Sequence, residues 1–476
     1  MSTSFEEGTA TLSPADMSYI LFCSFAVFLI TPAIAMFYGG ALKRSSMVQL
    51  MLQSYLVTAS VAVLWYLFGF SISTSPTSTN SMIGNMKMAA LRSKEEFPLY
   101  EEGSLPTIVI FCFNVFFPIA TVQIFVGSIG ERGRLLPSII VGLLFVIAVY
   151  CPMAYSVWGP TGWLLELGAL DFAGGGPVHI SSGVASMCYS WYLGPRGGKL
   201  GQRTGTIPKY RGHSQMTTFL GVTLIWGAWF CFNSGTLLAV NPRTGYIFAN
   251  TFLAGCFAML AYVATDKILT GKYSVQAACE GVIVGLVNIT PSCGFYYPWA
   301  TAVTSILTAT FCRLLEPVNE WTGIDDYSKS GVVHGIGGIF GGIFTGIFAS
   351  KHIASTDGYT EIDGGWIDGH WIQLGYELAA IVTMVAWTAV FTLIILYVVD
   401  HIPGLRIRAT PEEEEMGMDL YEMAETLDEF GNDYDEFFKA YIKYKSMKET
   451  YEVVQGVEVT SESSPVEIGE KTMTQV

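Results

Sequence analysis

Two histidines, His179 and His334, stand inside long apolar stretches of a 476-residue chain. Ionisable groups in hydrocarbon are costly and mark ion paths or proton relays. A single intramembrane histidine is as often a polar residue hydrogen-bonded to a neighbouring helix. Imidazole suits a relay because one ring nitrogen donates while the other accepts, and its unperturbed pKa is about 6.5. The surroundings of the pair repeat: Asp171 precedes His179 by eight residues and Gly183 follows by four, and Asp326 and Gly338 bracket His334 at the same distances. Symmetric placement favours the relay over packing. The other histidines, His213, His352, His370 and His401, fall in loops or at a helix end and carry no assigned chemistry. Aromatic residues crowd three of the apolar segments: Phe116-Phe117-Pro118, Trp158, and the run from Trp229 to Thr236 that includes Phe232. Most such residues are core or interfacial belt, yet an aromatic face attracts a desolvating cation by on the order of 2 kcal/mol in a dry site. No His-Glu-x-x-His motif or carboxylate cluster accompanies the histidines, so an intramembrane metalloenzyme is a poor reading. No cofactor is expected. The nine cysteines lack CxxC pairs and read as small buried hydrophobes.

Long apolar helices must position these residues. The chain is 51% hydrophobic and only 14% charged, against about 25% charged in soluble proteins, so it lacks the charge to cover a water-facing surface. A spanning helix needs roughly 20 mainly apolar residues, because lipid offers the backbone no partners. Eleven segments qualify, near 18–40, 48–70, 106–128, 136–158, 172–193, 216–238, 246–266, 275–292, 296–313, 331–350 and 373–400. The eighth and ninth are short. One set of loops carries fifteen Lys and Arg and the alternate set five, which places the N-terminus outside and the C-terminus in the cytoplasm. The repeated histidine contexts suggest two five-helix halves of opposite orientation, an inverted repeat with its site near the midplane. The fold class is therefore an all-α polytopic membrane protein. It divides into an extracellular segment, 1–17, a transmembrane domain, 18–411, and an acidic cytoplasmic tail, 412–476. The first 16 residues lack the basic start and apolar core of a cleavable signal peptide. The tail holds 18 acidic and 5 basic residues, a balance of −13 within a total of −15.

Phe37-Tyr38-Gly39-Gly40, Glu131-Arg132, the run Ala169 to His179, Phe232-Asn233-Ser234-Gly235 and His334-Gly335-Ile336-Gly337-Gly338 together resemble the Amt/Mep/Rh ammonium transporters. Gly174-Gly175-Gly176-Pro177-Val178-His179, Ile362-Asp363-Gly364-Gly365-Trp366 and the Glu-rich stretch ending Gly417-Met418-Asp419 are similar to the fungal Mep branch. The resemblance covers roughly 17–420. It implies a plasma-membrane homotrimer with a pore in each subunit. Trp158, Thr236 and Phe117 would form an outer ammonium site, Phe117 and Phe232 the gate beneath it, and His179 and His334 the twin histidines of the pore. Asp171 would brace the outer site. Thr236 stands where the family has Ser and keeps the hydroxyl; Lys329, five before His334, stands where the family commonly has Asp.

Ammonium is close to potassium in size but can lose a proton. An apolar constriction penalises any bare cation, so the expected mechanism carries ammonia and proton separately past the histidines and recombines them inside. The competing reading is an ammonium sensor signalling through the tail. Expected partners are ammonium or ammonia, the bilayer, two further copies of the chain, and a kinase or regulatory protein acting on the tail at Ser464-Pro465. Nucleic acid is not among them. Leu420, Met423, Ala424 and Leu427 recur at helical spacing, which predicts a docked amphipathic helix within 412–436. Lys329 is expected to pair with the Glu412, Glu413, Glu414 and Glu415 run.

Overall fold

In the computed structural model, residues 13–92, 105–198 and 212–425 are described, together with residues 207, 427 and 443. Apart from one isolated bridge between Gly133 and Arg408, the described residues form only helices and the turns between them. Among the described residues, eight helical stretches are long and apolar enough to cross a membrane: α1 Pro14–Ala41, α2 Arg44–Thr74, α3 Thr107–Gly127, α4 Leu135–Leu167, α6 Gln215–Gly235, α7 Pro242–Thr270, α10 Gly331–Phe348 and α11 Gln373–Asp400. Between them lie α5, residues 175–193, α8 Val275–Ile289 and α9 Pro298–Leu315, which match the remaining expected segments but are shorter or more polar. Large apolar side chains such as Phe22, Phe25, Leu260 and Val382 face outward, as a lipid solvent requires. Polar residues such as Gln123, Asn288 and Thr308 are buried and hydrogen-bonded between helices.

Local chemistry explains the interruptions. Pro32 and Pro118 have no N–H to offer four residues back, and α1 and α3 are broken at Leu29 and Val115, close to those positions. The start of α7 combines the Asn241–Thr244 capping box with Pro242 in its first turn. Among the described residues, four turns are π-helical, at Trp65–Gly69 in α2, Val146–Tyr150 in α4, Gly175–Ile180 and Gly331–Ile336. The last two open α5 and α10 and carry the histidines.

The internal repeat is visible where α5 meets α10. A Cβ on Gly183 would lie 2.1 Å from the Gly335 nitrogen, and one on Gly338 would lie 3.0 Å from Ile180. Each glycine, four residues beyond its own histidine, lets the other histidine's helix approach. Small residues serve this end in membrane bundles.

The described residues up to Glu425 belong to one compact unit. The amphipathic helix expected within 412–436 is divided. Thr410 and Glu413 make a capping box for α12, Pro411–Met416. Gly417, at φ 97°, then turns the chain against Ser45 before α13, Met418–Met423, which ends at Ala424. The rest of that stretch beyond Glu425, apart from Leu427, and Ser464 fall outside the described residues.

Candidate functional site

Both histidine turns start in the same way. Gly174, five residues before His179, has φ 105°, and Lys329, five before His334, has φ 55°. The left-handed conformation suits glycine and strains a lysine. Asp171 caps the first turn: Oδ1 accepts from the Gly174 and Gly175 N–H groups, each at 2.8 Å, and Oδ2 from Gly176 at 2.7 Å. Asp326 caps the second through the Gly331 N–H at 2.7 Å. Glu377, which the sequence reading passed over, accepts from the Leu170 N–H at 2.8 Å and so braces the peptide beside Asp171.

The crossing of α5 and α10 brings the two imidazoles together, with Nδ1 3.2 Å from Nδ1 and ring centroids 5.3 Å apart. At that distance one ring donates and the other accepts, so a single proton sets both tautomers and leaves their Nε2 atoms in opposite roles. Both rings are buried, and the His179 Nε2 has no hydrogen-bond partner among the described residues. They line an otherwise apolar cavity of about 20 Å³, bounded also by Tyr38, Ile34, Trp229 and Phe232. Trp229 stacks on His179 at 5.1 Å and donates through Nε1 to Thr290 Oγ1 at 3.1 Å. It lies one helical turn before Phe232, a spacing that identifies it from sequence as a neighbour on the same face.

Phe232 closes the outer side of this cavity. Phe117 stacks against it at 4.3 Å and 26°, and the two rings are 3% and 2% exposed. Beyond Phe117 opens a second cavity, of about 210 Å³, lined by Trp158, Thr236, Asn114, Tyr150 and Phe172. Trp158 meets Phe117 edge-on at 6.1 Å and donates through Nε1 to the Asp171 carbonyl at 2.8 Å. Thr236 donates to the Phe232 carbonyl at 2.9 Å, so its hydroxyl proton is committed and its oxygen remains an acceptor. The sequence-derived residues therefore form one line: Trp158 and Thr236, then Phe117 over Phe232, then His179 and His334.

The Ammonium Transporter Family model matches residues 18–427. The chain belongs to the ammonium transporter family. It is 42% identical over 456 residues to Ammonium transporter 3 of Schizosaccharomyces pombe, covering 87% of this chain and 88% of that protein. Against Ammonium transporter MEP2 of Saccharomyces cerevisiae the identity is 34% over 415 residues, with 86% and 83% covered. The crystal structure of Candida albicans Mep2 matches it with a TM-score of 0.78 at 34% identity, covering 85% of this chain and 88% of that one.

In this member of the ammonium transporter family the Glu412–Glu415 run and Lys329 do not meet. The Lys329 ammonium instead binds Glu280 Oε1 at 2.8 Å and a Glu316 carboxylate oxygen. Burial opposes that charge, but the two carboxylates outweigh it and hold the ammonium well above its usual range. Glu280 lies on α8, 49 residues away in sequence, and no local pattern announces the pair. The tail has other partners: Glu413 takes Arg134 Nη2 at 2.7 Å, and Glu414 takes Arg408 Nη2 at 2.6 Å. Asp419 Oδ1 accepts from the Gln49 N–H at 2.7 Å and Oδ2 from the Val48 N–H at 3.1 Å. Glu422 accepts from the Leu135 N–H at 3.2 Å. The tail thus caps the first turns of α2 and α4, where free N–H groups and the helix dipole favour an anion.

Proposed function

We propose that this family member moves ammonium across the plasma membrane as separately conducted ammonia and proton. Ammonium is recruited between Trp158, Phe117 and the Thr236 oxygen, with Asp171 bracing the site. It loses a proton there, and ammonia passes the Phe117–Phe232 pair toward His179 and His334. The observation that carries this reading is the single line from an outer cavity of mixed polar and aromatic lining through a closed aromatic pair to an apolar cavity ending on paired imidazoles. A bare cation meets a desolvation penalty of several kcal/mol in such surroundings, whereas neutral ammonia does not. The facing Nδ1 atoms supply a proton route beside it. Eleven spans, with the N-terminus outside and the tail inside, accord with the excess of Lys and Arg in one set of loops. Assembly as a homotrimer, and control of the tail by a kinase or another regulatory protein, belong to the same proposal.

Growth of a yeast lacking its own ammonium uptake, combined with current measurements on the full-length chain, tests it. Wild type should restore growth at low ammonium and carry an inward current. His179→Ala and His334→Ala should each reduce that current or weaken selectivity against potassium. Unchanged current and unchanged selectivity in both variants would leave the histidines as packing groups.

A further inference from the structure

A chain of buried hydroxyls runs from one wall of the histidine cavity. Tyr38 lines the cavity together with His334, and the Tyr38 hydroxyl lies 2.8 Å from Ser330 Oγ. Ser330 Oγ is 2.8 Å from Ser328 Oγ, and Ser328 donates to Asp326 Oδ1 at 2.7 Å. All four residues are buried, so no bulk water competes for these bonds. The direction of the chain follows from hydroxyl valence. An ionised carboxylate only accepts, and each hydroxyl has one proton to give. Ser328 commits its proton to Asp326 and must therefore accept from Ser330, and Ser330 must accept from Tyr38. Every proton points the same way.

We propose that Tyr38, Ser330 and Ser328 form a hydroxyl wire that carries protons from the histidine cavity to Asp326, apart from the path of ammonia. The inference rests on the reading of the pore as a deprotonating conduction path. A protonated donor in the cavity, an imidazolium or a hydronium, gives its proton to the Tyr38 oxygen. The Tyr38 proton shifts to Ser330, that of Ser330 to Ser328, and that of Ser328 to Asp326, leaving each hydroxyl neutral and Asp326 as the acid. Rotation of the hydroxyls then resets the wire. Asp326 suits the terminus. Burial lifts its carboxyl above the ordinary range, while the Gly331 N–H, the Ser328 hydroxyl and the Arg132 charge oppose that rise, so it can both take and surrender a proton. By the internal repeat Asp326 is also the counterpart of Asp171, eight residues before the other histidine. Each carboxylate stands at the start of a histidine helix, one beside the outer cavity and one at the end of the wire.

The full-length protein in liposomes, driven by an ammonium gradient, tests the wire. Ser330→Ala and Ser328→Ala should each lower the current about tenfold, since a broken relay raises the proton-transfer barrier. Ser330→Thr, which keeps the hydroxyl, should stay near wild type. Added protonophore should restore uptake of labelled ammonium in the two Ala variants, because it returns the proton by another route. Currents equal to wild type in both Ala variants overturn the wire. So does a loss that protonophore leaves unrelieved, which would mark the serines as packing groups. The histidine variants keep the two ideas apart: normal behaviour of His179→Ala and His334→Ala overturns the pore reading and the wire with it. Impaired histidine variants beside normal serine variants overturn the wire alone.

Discussion

Trp158 couples two roles in one side chain. Its ring stands edge-on to Phe117, and its N–H holds the Asp171 carbonyl at 2.8 Å, so the aromatic wall of the outer cavity is tied to the cap of the histidine helix. Trp158→Leu keeps an apolar side chain but removes the π-face and the donor. The apparent affinity for ammonium should fall by about 1–2 kcal/mol, the value of a cation–π contact in a partly dry site. The concentration dependence of the current measures this. If uptake at low ammonium is indistinguishable from wild type, the indole is an interfacial anchor and nothing more. Thr236 raises no such question, because Ser and Thr present the same acceptor oxygen once the proton is given to Phe232.

Between helices, the decisive contacts involve missing side chains and a strained lysine. A methyl at Gly183 would meet backbone, with the Gly335 nitrogen at 2.1 Å, whereas one at Gly338 meets first the Ile180 side chain at 3.0 Å. Gly183→Ala should therefore cost stability toward the upper end of the roughly 1–3 kcal/mol typical of overpacking, and Gly338→Ala less. Thermal unfolding of the solubilised variants gives the order, and equal midpoints would contradict it. Lys329 occupies the left-handed position that Gly174 fills in the other half, and its two carboxylate partners offset the strain. Lys329→Asp would place a third carboxylate beside Glu280 and Glu316. Lys329 is partly exposed, so breaking its ion pairs should cost less than the ~3–5 kcal/mol of a fully buried pair, and the left-handed tolerance of Asp recovers only a small part of that. Because Lys329 shares no partner with the described part of the tail, the loss should be the same in the full chain and in one truncated after Thr410. A loss that depends on the tail would show coupling that these contacts do not predict.

At the scale of the whole molecule, the start of the tail, up to Glu425, is held by acids at helix starts. Burial pushes the Asp419 carboxyl up to about 6 from an ordinary 3.8, against the opposing N–H groups of Gln49 and Val48 and with the help of the Glu425 charge. The docked acid thus holds its proton more tightly than the free one, so protonation favours docking. The cost of the buried charge is present in full above about pH 6 and fades as pH falls toward 3.8. Protease cleavage within 411–425 should slow on passing from about pH 7.5 to about pH 5.5, and Asp419→Asn should remove most of that dependence. Faster cleavage at the lower pH would mean that the ion pairs of Glu413 and Glu414 dominate the docking instead.

The family resemblance supplied the candidate site residues, and the apolar segments, their helical state and the repeated Asp–His–Gly spacing were legible in the sequence. Lipid makes them so: with no water to satisfy the backbone, each spanning stretch must announce itself locally by length and composition, and charged residues inside it stand out against that background. The loops and tail carry no such constraint, and there the sequence misled. Lys329 and the Glu412–Glu415 run look complementary along the chain, but in space Lys329 faces Glu280 and Glu316, and Arg134 and Arg408 face Glu413 and Glu414. The continuous tail helix gave way to two short ones because Gly417 must turn closely past Ser45. The order of hydroxyls from Tyr38 to Asp326 depends on a residue of α1 meeting the loop before α10, 292 positions away. Such pairings are decided by how the helices cross, which only the tertiary structure determines.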